Sequence, residues 1–284
     1  MKADIFEFPA SDGAPLHGQV WAPADPAARR GVVCLVHGFG EHCDRYGHVG
    51  ERLVESGYVL LGYDQRGHGR SGGQRGYTPS IDQLLDDVGT AIREAQTRFP
   101  DLPTFLYGHS MGGGEVLHFA LRRRPSLAGV ISTSPWLRLT KAPPAHLVVA
   151  AKVLQHVLPR FAIQNEFERG VLSSDPAVED DYYSDPLVHG SVTPVLAEQM
   201  RAQGEWCLDH AAQTVLPTLL MHGTADPVTS CAATEDYARA AGRRATFVPW
   251  PGMLHETHNE IGKGQVLDRL VQFLDAHAAD DRAA

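Results

Sequence analysis

The chain has 284 residues, of which 43% are apolar and 21% charged, a composition typical of an ordinary globular protein. This length fits one large α/β domain with an insertion, or two small domains. The net charge of −9, without a dense cluster of Lys and Arg, argues against nucleic acid as a partner.

The cysteines and histidines predict neither disulfides nor a metal site. The four cysteines form no C-x-x-C pair and no metal-ligand spacing, and a chain of this size needs no covalent cross-links. The fifteen histidines include no H-E-x-x-H motif. The first residues lack the apolar core of a signal peptide, and no apolar run is long enough to span a membrane. We therefore expect reduced thiols, no cofactor, no metal and a cytoplasmic location.

The first half of the chain alternates predicted strands and helices. A turn signal at Ser11–Gly13 joins the first two strands as a hairpin, and later strands are continuous apolar runs, as in strands buried on both faces. Ser80 is the expected N-cap of the second helix. The predicted strands lie at residues 5–8, 16–21, 32–36, 58–63, 103–107 and 127–132, and the predicted helices at 45–56, 81–99 and from 115 onward. This alternation predicts a mostly parallel sheet with helices on both faces.

The pattern changes in residues 135–214, which contain helical patterns but no good strand. Pro143–Pro144 precedes an apolar helix, and Thr193–Pro194 supplies the N-cap and first position of another. Between them, residues 173–190 are acidic and rich in turn residues. We predict that residues 135–214 are a mainly helical cap inserted in a core. The core consists of residues 1–134 and 215–284, where further strands are predicted at 217–221 and 245–248 and further helices at 230–241 and 261–277.

The sequence Gly108-His-Ser110-Met-Gly112 lies between a predicted strand and a helix. A G-x-S-x-G motif in that context predicts a nucleophile elbow, a sharp turn that pushes the serine hydroxyl clear of the backbone. Glycines flank the serine because side chains there would collide with the neighbouring strand or helix. The alternative is a glycine-rich turn with an incidental serine. The strand-turn-helix context favours Ser110 as a nucleophile.

Polar residues follow several predicted strands, at the edge where parallel sheets place their catalytic groups. A serine hydroxyl needs a general base, and the base needs an anion that fixes its tautomer. His255 follows the last strand and is the expected base, with His258 as its rival. Asp226 follows the preceding strand and is the expected anion, although an aspartate before proline can be an ordinary turn residue. Asp209 and Asp175 are weaker rivals within the predicted cap.

The tetrahedral intermediate of acyl transfer needs two backbone N–H donors. We expect one from Met111, directly after the nucleophile, and the other from Phe39, in the turn after an early strand. Losing one such donor typically costs about 2.7–4 kcal/mol. Because both donors belong to the main chain, Phe39→Ala should not remove one.

Longer motifs extend around these residues. They are His37-Gly-Phe-Gly-Glu-His42 with Arg45-Tyr46, Asp64-Gln-Arg-Gly-His-Gly-Arg-Ser71, Gly108-His-Ser-Met-Gly-Gly113, His222-Gly-Thr-Ala-Asp226, Ala151-Lys-Val-Leu…Val-Leu-Pro159 and Tyr183-Ser-Asp-Pro-Leu187. Together they resemble the monoacylglycerol lipase (lysophospholipase-like) family of α/β-hydrolases over nearly the whole chain. The resemblance implies an α/β-hydrolase fold, a triad of Ser110, Asp226 and His255, and an oxyanion hole from the N–H groups of Phe39 and Met111. It also implies a helical cap that lines an apolar acyl tunnel.

In that family a glutamate and an arginine of the first motif help to shape the polar end that receives glycerol. The motif match assigns these roles to Glu41 and Arg45, with His258 as a looser candidate. The alternative is that Glu41 and Arg45 form a surface ion pair. Between Arg160 and Asp181 the chain departs from the family pattern, so the resemblance does not define the preferred acyl-chain length.

We therefore expect a serine hydrolase that cleaves carboxylic esters, most of all monoacylglycerols, through an acyl-enzyme. One alternative is that the same triad acts on another substrate, such as an aryl ester, a thioester or a ring-cleavage product. Another is a non-catalytic ligand-binding protein of the same fold. The intact Ser, Asp and His argue against the second. The expected partner is a small lipid ester. Residues 147–158 could either contact a membrane surface transiently or pack on the core.

Overall fold

A computed structural model describes residues 3–278, so the predicted outer limits of the core at residues 1 and 284 lie outside the described residues. The strands are β1 (Asp4–Pro9), β2 (Pro15–Trp21), β3 (Gly31–Val36), β4 (Tyr58–Tyr63), β5 (Thr104–His109), β6 (Gly129–Thr133), β7 (Ile163–Gln164), β8 (Ser191–Val192), β9 (Thr218–Gly223) and β10 (Ala245–Trp250). The helices are α1 (Gly47–Glu55), α2 (Ile81–Arg98), α3 (Ser110–Arg123), α4 (Ala145–Val157), α5 (Pro176–Ser184), α6 (Pro194–His210), α7 (Cys231–Ala241) and α8 (Lys263–His277).

The centre of the fold is an eight-stranded sheet in the order β1-β2-β4-β3-β5-β6-β9-β10. β1 and β2 form the predicted antiparallel hairpin, and β2 is also antiparallel to β4. All strands from β4 to β10 in that order pair in parallel. This arrangement confirms the predicted mostly parallel sheet of an α/β-hydrolase fold.

The central strands explain the continuous apolar runs of the sequence. Every residue of β3 is buried. Val32 and Val36 belong to an apolar cluster with residues of α2, α3 and α7, whereas Val33 and Leu35 belong to a cluster with residues of α1 and α8. Helices therefore cover both faces of the sheet, and a strand between them needs apolar side chains at every position.

The largest difference from the predicted elements concerns α3, which begins at Ser110 rather than at residue 115. Three consecutive glycines are poor helix formers, so their pattern did not predict a helix. Here they are helical because the helix packs too closely for side chains. A Cβ at Gly112 would lie 2.2 Å from the carbonyl oxygen of Val36, and one at Gly114 would lie 2.9 Å from that of Trp136.

Two other predictions need smaller corrections. The helix predicted at residues 45–56 is a short 3-10 turn, Cys43–Tyr46, followed by α1. The turn-rich stretch at residues 173–190 contains α5, whose N-cap is Asp175 and whose first residue is a proline. Predicted N-caps elsewhere are confirmed, since the Ser80 hydroxyl accepts the N–H of Gln83 at 3.1 Å.

Residues 135–214 connect the neighbouring strands β6 and β9 and contain α4, α5 and α6 with the two-stranded β7–β8 pair. The Thr193 hydroxyl caps α6 by accepting the N–H of Leu196 at 3.3 Å. No residue of α4 is buried, although this helix is the most apolar part of the segment. Among residues 3–278, no helix combines the length and the hydropathy needed to cross a membrane.

Candidate active site

Ser110 occupies a sharp turn between the end of β5 and the start of α3. Its φ is +53°, a left-handed conformation that is uncommon for a residue with a side chain. A Cβ at Gly108 would lie 2.2 Å from the carbonyl oxygen of Gly112, and Gly112 is itself pressed against β3. Both glycines of the motif are therefore required by close backbone contacts, as the elbow interpretation predicts.

His255 lies between Ser110 and Asp226. Its Nε2 is 2.9 Å from Ser110 Oγ, and its Nδ1 is 2.7 Å from Asp226 Oδ2. All three residues are buried, with exposed fractions of 4% for Ser110, 2% for His255 and 6% for Asp226. Ser110, His255 and Asp226 thus stand in hydrogen-bond contact, in the order that serine acyl transfer requires of a nucleophile, a base and an anion.

The rival residues lie elsewhere. Asp175 caps α5, where its carboxylate accepts the N–H of Ala177 at 3.0 Å. Asp209 is exposed near the end of α6. His258 is fully buried, and its ring stacks on Tyr46 with the ring centroids 4.8 Å apart. Burial lowers the pKa of His258 to about 3, so this ring is neutral. Asp226 pairs with His255 instead.

The carboxylate of Asp226 is held by a tight turn. Its Oδ1 accepts the N–H groups of Val228 and Thr229 at 2.7 and 3.1 Å. Its Oδ2 accepts the Thr229 hydroxyl at 2.9 Å and lies 3.0 Å from Nε2 of the buried His222. Asp226 is therefore both the turn aspartate and the partner of His255. The turn fixes the carboxylate that orients the base.

Burial and the mutual contact of Asp226 and His255 shift the pKa values of both residues. Burial alone would raise the pKa of Asp226, but the charge of His255 and hydrogen bonds from His222 and His255 hold it well below its usual range. Burial would lower the pKa of His255, but the charge and hydrogen bond of Asp226 raise it above 6.5. Asp226 thus stays ionised and stabilises the protonated form of His255.

The two expected oxyanion donors belong to segments that meet at Ser110. Met111 is the second residue of α3, and amides in the first turn of a helix have no partner within the helix. The turn that contains Phe39 contacts the nucleophile, since a Cβ at Gly38 would lie 3.3 Å from Ser110 Cβ. Glu41 supports this turn by accepting the Gly38 N–H at 2.6 Å.

Glu41 and Arg45 form an ion pair, but it is buried. Side-chain exposure is 3% for Glu41 and 10% for Arg45, and their atoms lie 2.5 Å apart. Arg45 also binds both oxygens of Glu256 at 2.7 Å, while the Tyr46 hydroxyl donates to Glu41 at 2.7 Å. Burial would raise the pKa of Glu41, but the charge of Arg45 lowers it. Glu256 was not predicted, because its partner Arg45 is 211 residues away in the chain.

The surroundings of Ser110 differ in polarity on two sides. Phe39 and Met111 pack with apolar residues of α2 and α6 in a small cluster, which contains Phe39, Leu84, Met111, Leu196 and Met200. Beyond Arg45 lies an open cavity of about 880 Å³, lined mainly by polar residues that include His42, Asp44, His48, Asp185 and Lys263. Within the described part of the chain, no three His, Cys, Asp or Glu side chains converge as metal ligands.

Comparisons with known proteins identify the family of this chain. Residues 27–262 match the Hydrolase_4 family, described as "Serine aminopeptidase, S33". The chain is 33% identical to the monoacylglycerol lipase of Mycolicibacterium smegmatis, over 95% of this chain and 96% of that protein. It is also 33% identical to an uncharacterized abhydrolase domain-containing protein of Dictyostelium discoideum, over 96% of this chain but 29% of that longer protein.

A solved structure supports the same relationship. The crystal structure of the Paleococcus ferrophilus monoacylglycerol lipase superposes with a TM-score of 0.82 at 29% identity, over 98% of this chain and all of that one. The matches in sequence and in structure extend across both the sheet and residues 135–214. The chain therefore belongs to the Hydrolase_4 family, has the α/β-hydrolase fold and is a serine ester hydrolase related to the monoacylglycerol lipases.

Proposed function

We propose that this protein hydrolyses monoacylglycerols to a fatty acid and glycerol, with Ser110, His255 and Asp226 as its catalytic triad. The observation that carries this proposal is the continuous hydrogen-bonded line from Ser110 Oγ through the His255 ring to Asp226, with contacts of 2.9 and 2.7 Å. The relatives named above as monoacylglycerol lipases support the choice of substrate.

In the first half of the reaction, His255 Nε2 accepts the hydroxyl proton as Ser110 Oγ attacks the ester carbonyl. The amides of Phe39 and Met111 donate to the oxyanion that develops. As the intermediate collapses, His255 gives the proton to the departing glycerol oxygen and leaves an acyl-serine. Water then attacks this ester with His255 again as base, and the fatty acid is released.

The two sides of the site suit the two ends of a monoacylglycerol. The apolar cluster around Phe39 and Met111 would receive the acyl chain, with α6 as part of the cap formed by residues 135–214. The polar side at Glu41 and Arg45 would receive glycerol, and the neutral ring of His258 lies behind it. Glu41 and Arg45 each make three hydrogen bonds within the protein, but a guanidinium has five N–H donors, so we assign Arg45 the more direct contact with the head group.

A membrane surface is the proposed source of the substrate, and α4 is the proposed contact. Leu147, Val149, Val153 and Val157 on this helix are between 53% and 66% exposed. Phe161 and Ile163, which follow it, are 57% and 54% exposed. Contiguous exposed apolar side chains of this kind mark a surface that binds protein or lipid.

The test is labelling with a fluorophosphonate followed by hydrolysis assays on matched substrates. We expect the reagent to modify Ser110 in the folded protein, and Ser110→Ala to abolish both labelling and hydrolysis. We also expect monoacylglycerols to be cleaved faster than short aryl esters or thioesters. Absence of labelling at Ser110 would overturn the proposed triad, and a preference for aryl esters or thioesters would overturn the proposed substrate.

A further inference from the structure

The loop that carries His255 is bonded to residues 170–174 of the predicted cap. The N–H of Glu256 donates to the carbonyl of Leu172 at 2.8 Å, and the N–H of His255 donates to that of Val171 at 3.4 Å. The backbone at the base is therefore held by a segment outside the core sheet. A shift of this segment would act on the His255 loop through these two bonds, while Ser134, just after β6, donates its hydroxyl to the His255 carbonyl at 2.7 Å.

Glu179, on α5, gives the segment its shape. Its side chain is buried, its Oε2 accepts the N–H of Gly170 at 2.6 Å, and its Oε1 accepts the N–H of Leu172 at 3.2 Å. One carboxylate thus bonds the amides on both sides of Val171. Because the Leu172 amide points toward α5, the Val171 carbonyl of the same trans peptide points away from it and accepts from the His255 N–H.

Glu260 joins the same segment to the other end of the loop. Its Oε1 accepts the N–H of Leu254, the residue before His255, at 2.7 Å. Its Oε2 accepts both the N–H of Ser174, at 3.2 Å, and the Ser174 hydroxyl. The adjacent Ser173 hydroxyl donates to the carbonyl of Asn259 at 3.0 Å. Within residues 3–278, neither Glu179 nor Glu260 forms an ion pair with Lys or Arg, so these amide and hydroxyl donors stabilise their buried oxygens.

We propose that Glu179 and Glu260 are positioning residues for the catalytic base, acting as a clamp that holds residues 170–174 against the His255 loop. The inference rests on the proposed triad and goes beyond it, because it makes the cap part of the device that aims His255 at Ser110. A displacement of about 1 Å at a catalytic group can cost on the order of 100-fold in rate. A clamp made of charge-assisted hydrogen bonds limits such displacement.

The test compares the rate of fluorophosphonate labelling of Ser110 across pH in wild type, Glu179→Gln, Glu260→Gln and the control Glu168→Gln. Labelling by a small reagent depends on the base but not on binding of a long acyl chain. In each of the first two variants an amide NH₂ replaces an oxygen that now accepts a hydrogen bond, so one anchor of the clamp is lost. Glu168 is exposed two residues before the segment, so Glu168→Gln makes the same change in charge without removing these contacts.

We expect labelling by Glu179→Gln and Glu260→Gln to be about 10- to 100-fold slower, with the control unchanged. The midpoint of the rate against pH should also move to lower pH. The contact with Asp226 raises the pKa of His255, and burial lowers it. If part of that contact is lost while His255 stays buried, its pKa should fall. Other titratable groups that face His255 are Glu256, Glu41 and the rings of His109 and His258. A purely structural role would lower the melting temperature and leave this midpoint in place.

Folded variants with the wild-type rate and midpoint would overturn the clamp and leave the triad intact. Absence of labelling at Ser110 in the wild type would instead overturn the proposed function. If the glutamate variants do not fold, Ser174→Ala provides the test, because it removes only the hydroxyl that donates to Glu260. A several-fold slower rate in that variant would support the clamp, and an unchanged rate would overturn it.

Discussion

Residues 135–214 contain two parts that are attached in different ways. The docked segment (residues 165–193) is hydrogen bonded to loops of the core: the N–H of His189 donates to Gly40 at 2.9 Å, and that of Thr193 donates to Gly76 at 3.0 Å. Helix α4 packs along α6 and has no buried residue. The segment with the more apolar sequence is thus the one that is less buried.

The two parts therefore have different roles: the docked segment is attached to the core by hydrogen bonds, and α4 presents apolar side chains at the surface. The docked segment is polar and acidic, and backbone hydrogen bonds connect it to the turn after β3 and to the loop of His255. Helix α4 keeps its apolar side chains available for contact with another surface. A substitution in the docked segment should therefore alter the position of the proposed catalytic residues. A substitution on α4 should affect only binding by that helix.

The largest effect is expected where the docked segment meets the core, from Gly40→Ala. Gly40 has a φ of +75°, and a Cβ there would lie 2.3 Å from the carbonyl oxygen of His189. The left-handed backbone alone costs about 1–2 kcal/mol, and the clash must also displace either the docked segment or the turn of Phe39. We expect the rate of ester hydrolysis to fall on the order of 100-fold.

Gly13→Ala is the matched control for this variant. Gly13 has a φ of +84° with nothing within 4 Å of a Cβ, so it carries the backbone cost without the clash. Its stability, measured by urea unfolding, should fall by about 1–2 kcal/mol with the hydrolysis rate unchanged. Equal rates for the two variants would show that the contact between His189 and Gly40 does not influence catalysis.

Lowering the pH should reduce hydrolysis by protonating His255, and a substitution on α4 should not change this pH dependence. His255 accepts a proton only when it is neutral, and Asp226 raises its pKa above 6.5 against the opposing effect of burial. On a soluble short-chain ester, kcat/KM should therefore have its midpoint above pH 6.5 and fall about tenfold for each pH unit below the midpoint. Val149→Asp should share this profile. A displaced midpoint in that variant would mean that α4 also influences the base.

The smallest effect is expected from charge on the exposed helix. Leu147 is 53% exposed, so Leu147→Asp should weaken binding to liposomes by about 1–2 kcal/mol, which is roughly tenfold, and change the unfolding free energy by less than about 0.5 kcal/mol. Ile5→Asp is the control, since Ile5 is 64% exposed but lies on β1, outside the cap segment. Equal liposome binding by both variants and wild type would contradict a membrane role for α4.

Much of this arrangement could be predicted from the sequence because its signals are local. Continuous apolar runs identified the buried strands, and strand-turn-helix context singled out Ser110. Chain order placed Asp226 and His255 at neighbouring strand ends, where the structure brings them into contact. The resemblance to a known family pointed to Glu41 and Arg45, which lie together beside the site.

The supporting residues could not be predicted because their partners are distant in the chain or belong to the backbone. Glu256 binds an arginine 211 residues away, and nothing in the local pattern connects the two. Glu179 and Glu260 read as ordinary charged residues because most of their partners are main-chain N–H groups. The early start of α3 was hidden because helix propensity disfavours the three glycines that close packing requires.

The backbone of Ser110 has a consequence for how this protein can change over time. At a φ of +53° a serine is strained, whereas glycine adopts the same conformation freely. A single substitution to glycine would thus relax the elbow while it destroyed the nucleophile. Mutation to glycine would therefore relieve strain and remove the proposed chemistry in one step, so along this route stability and hydrolysis cannot both increase.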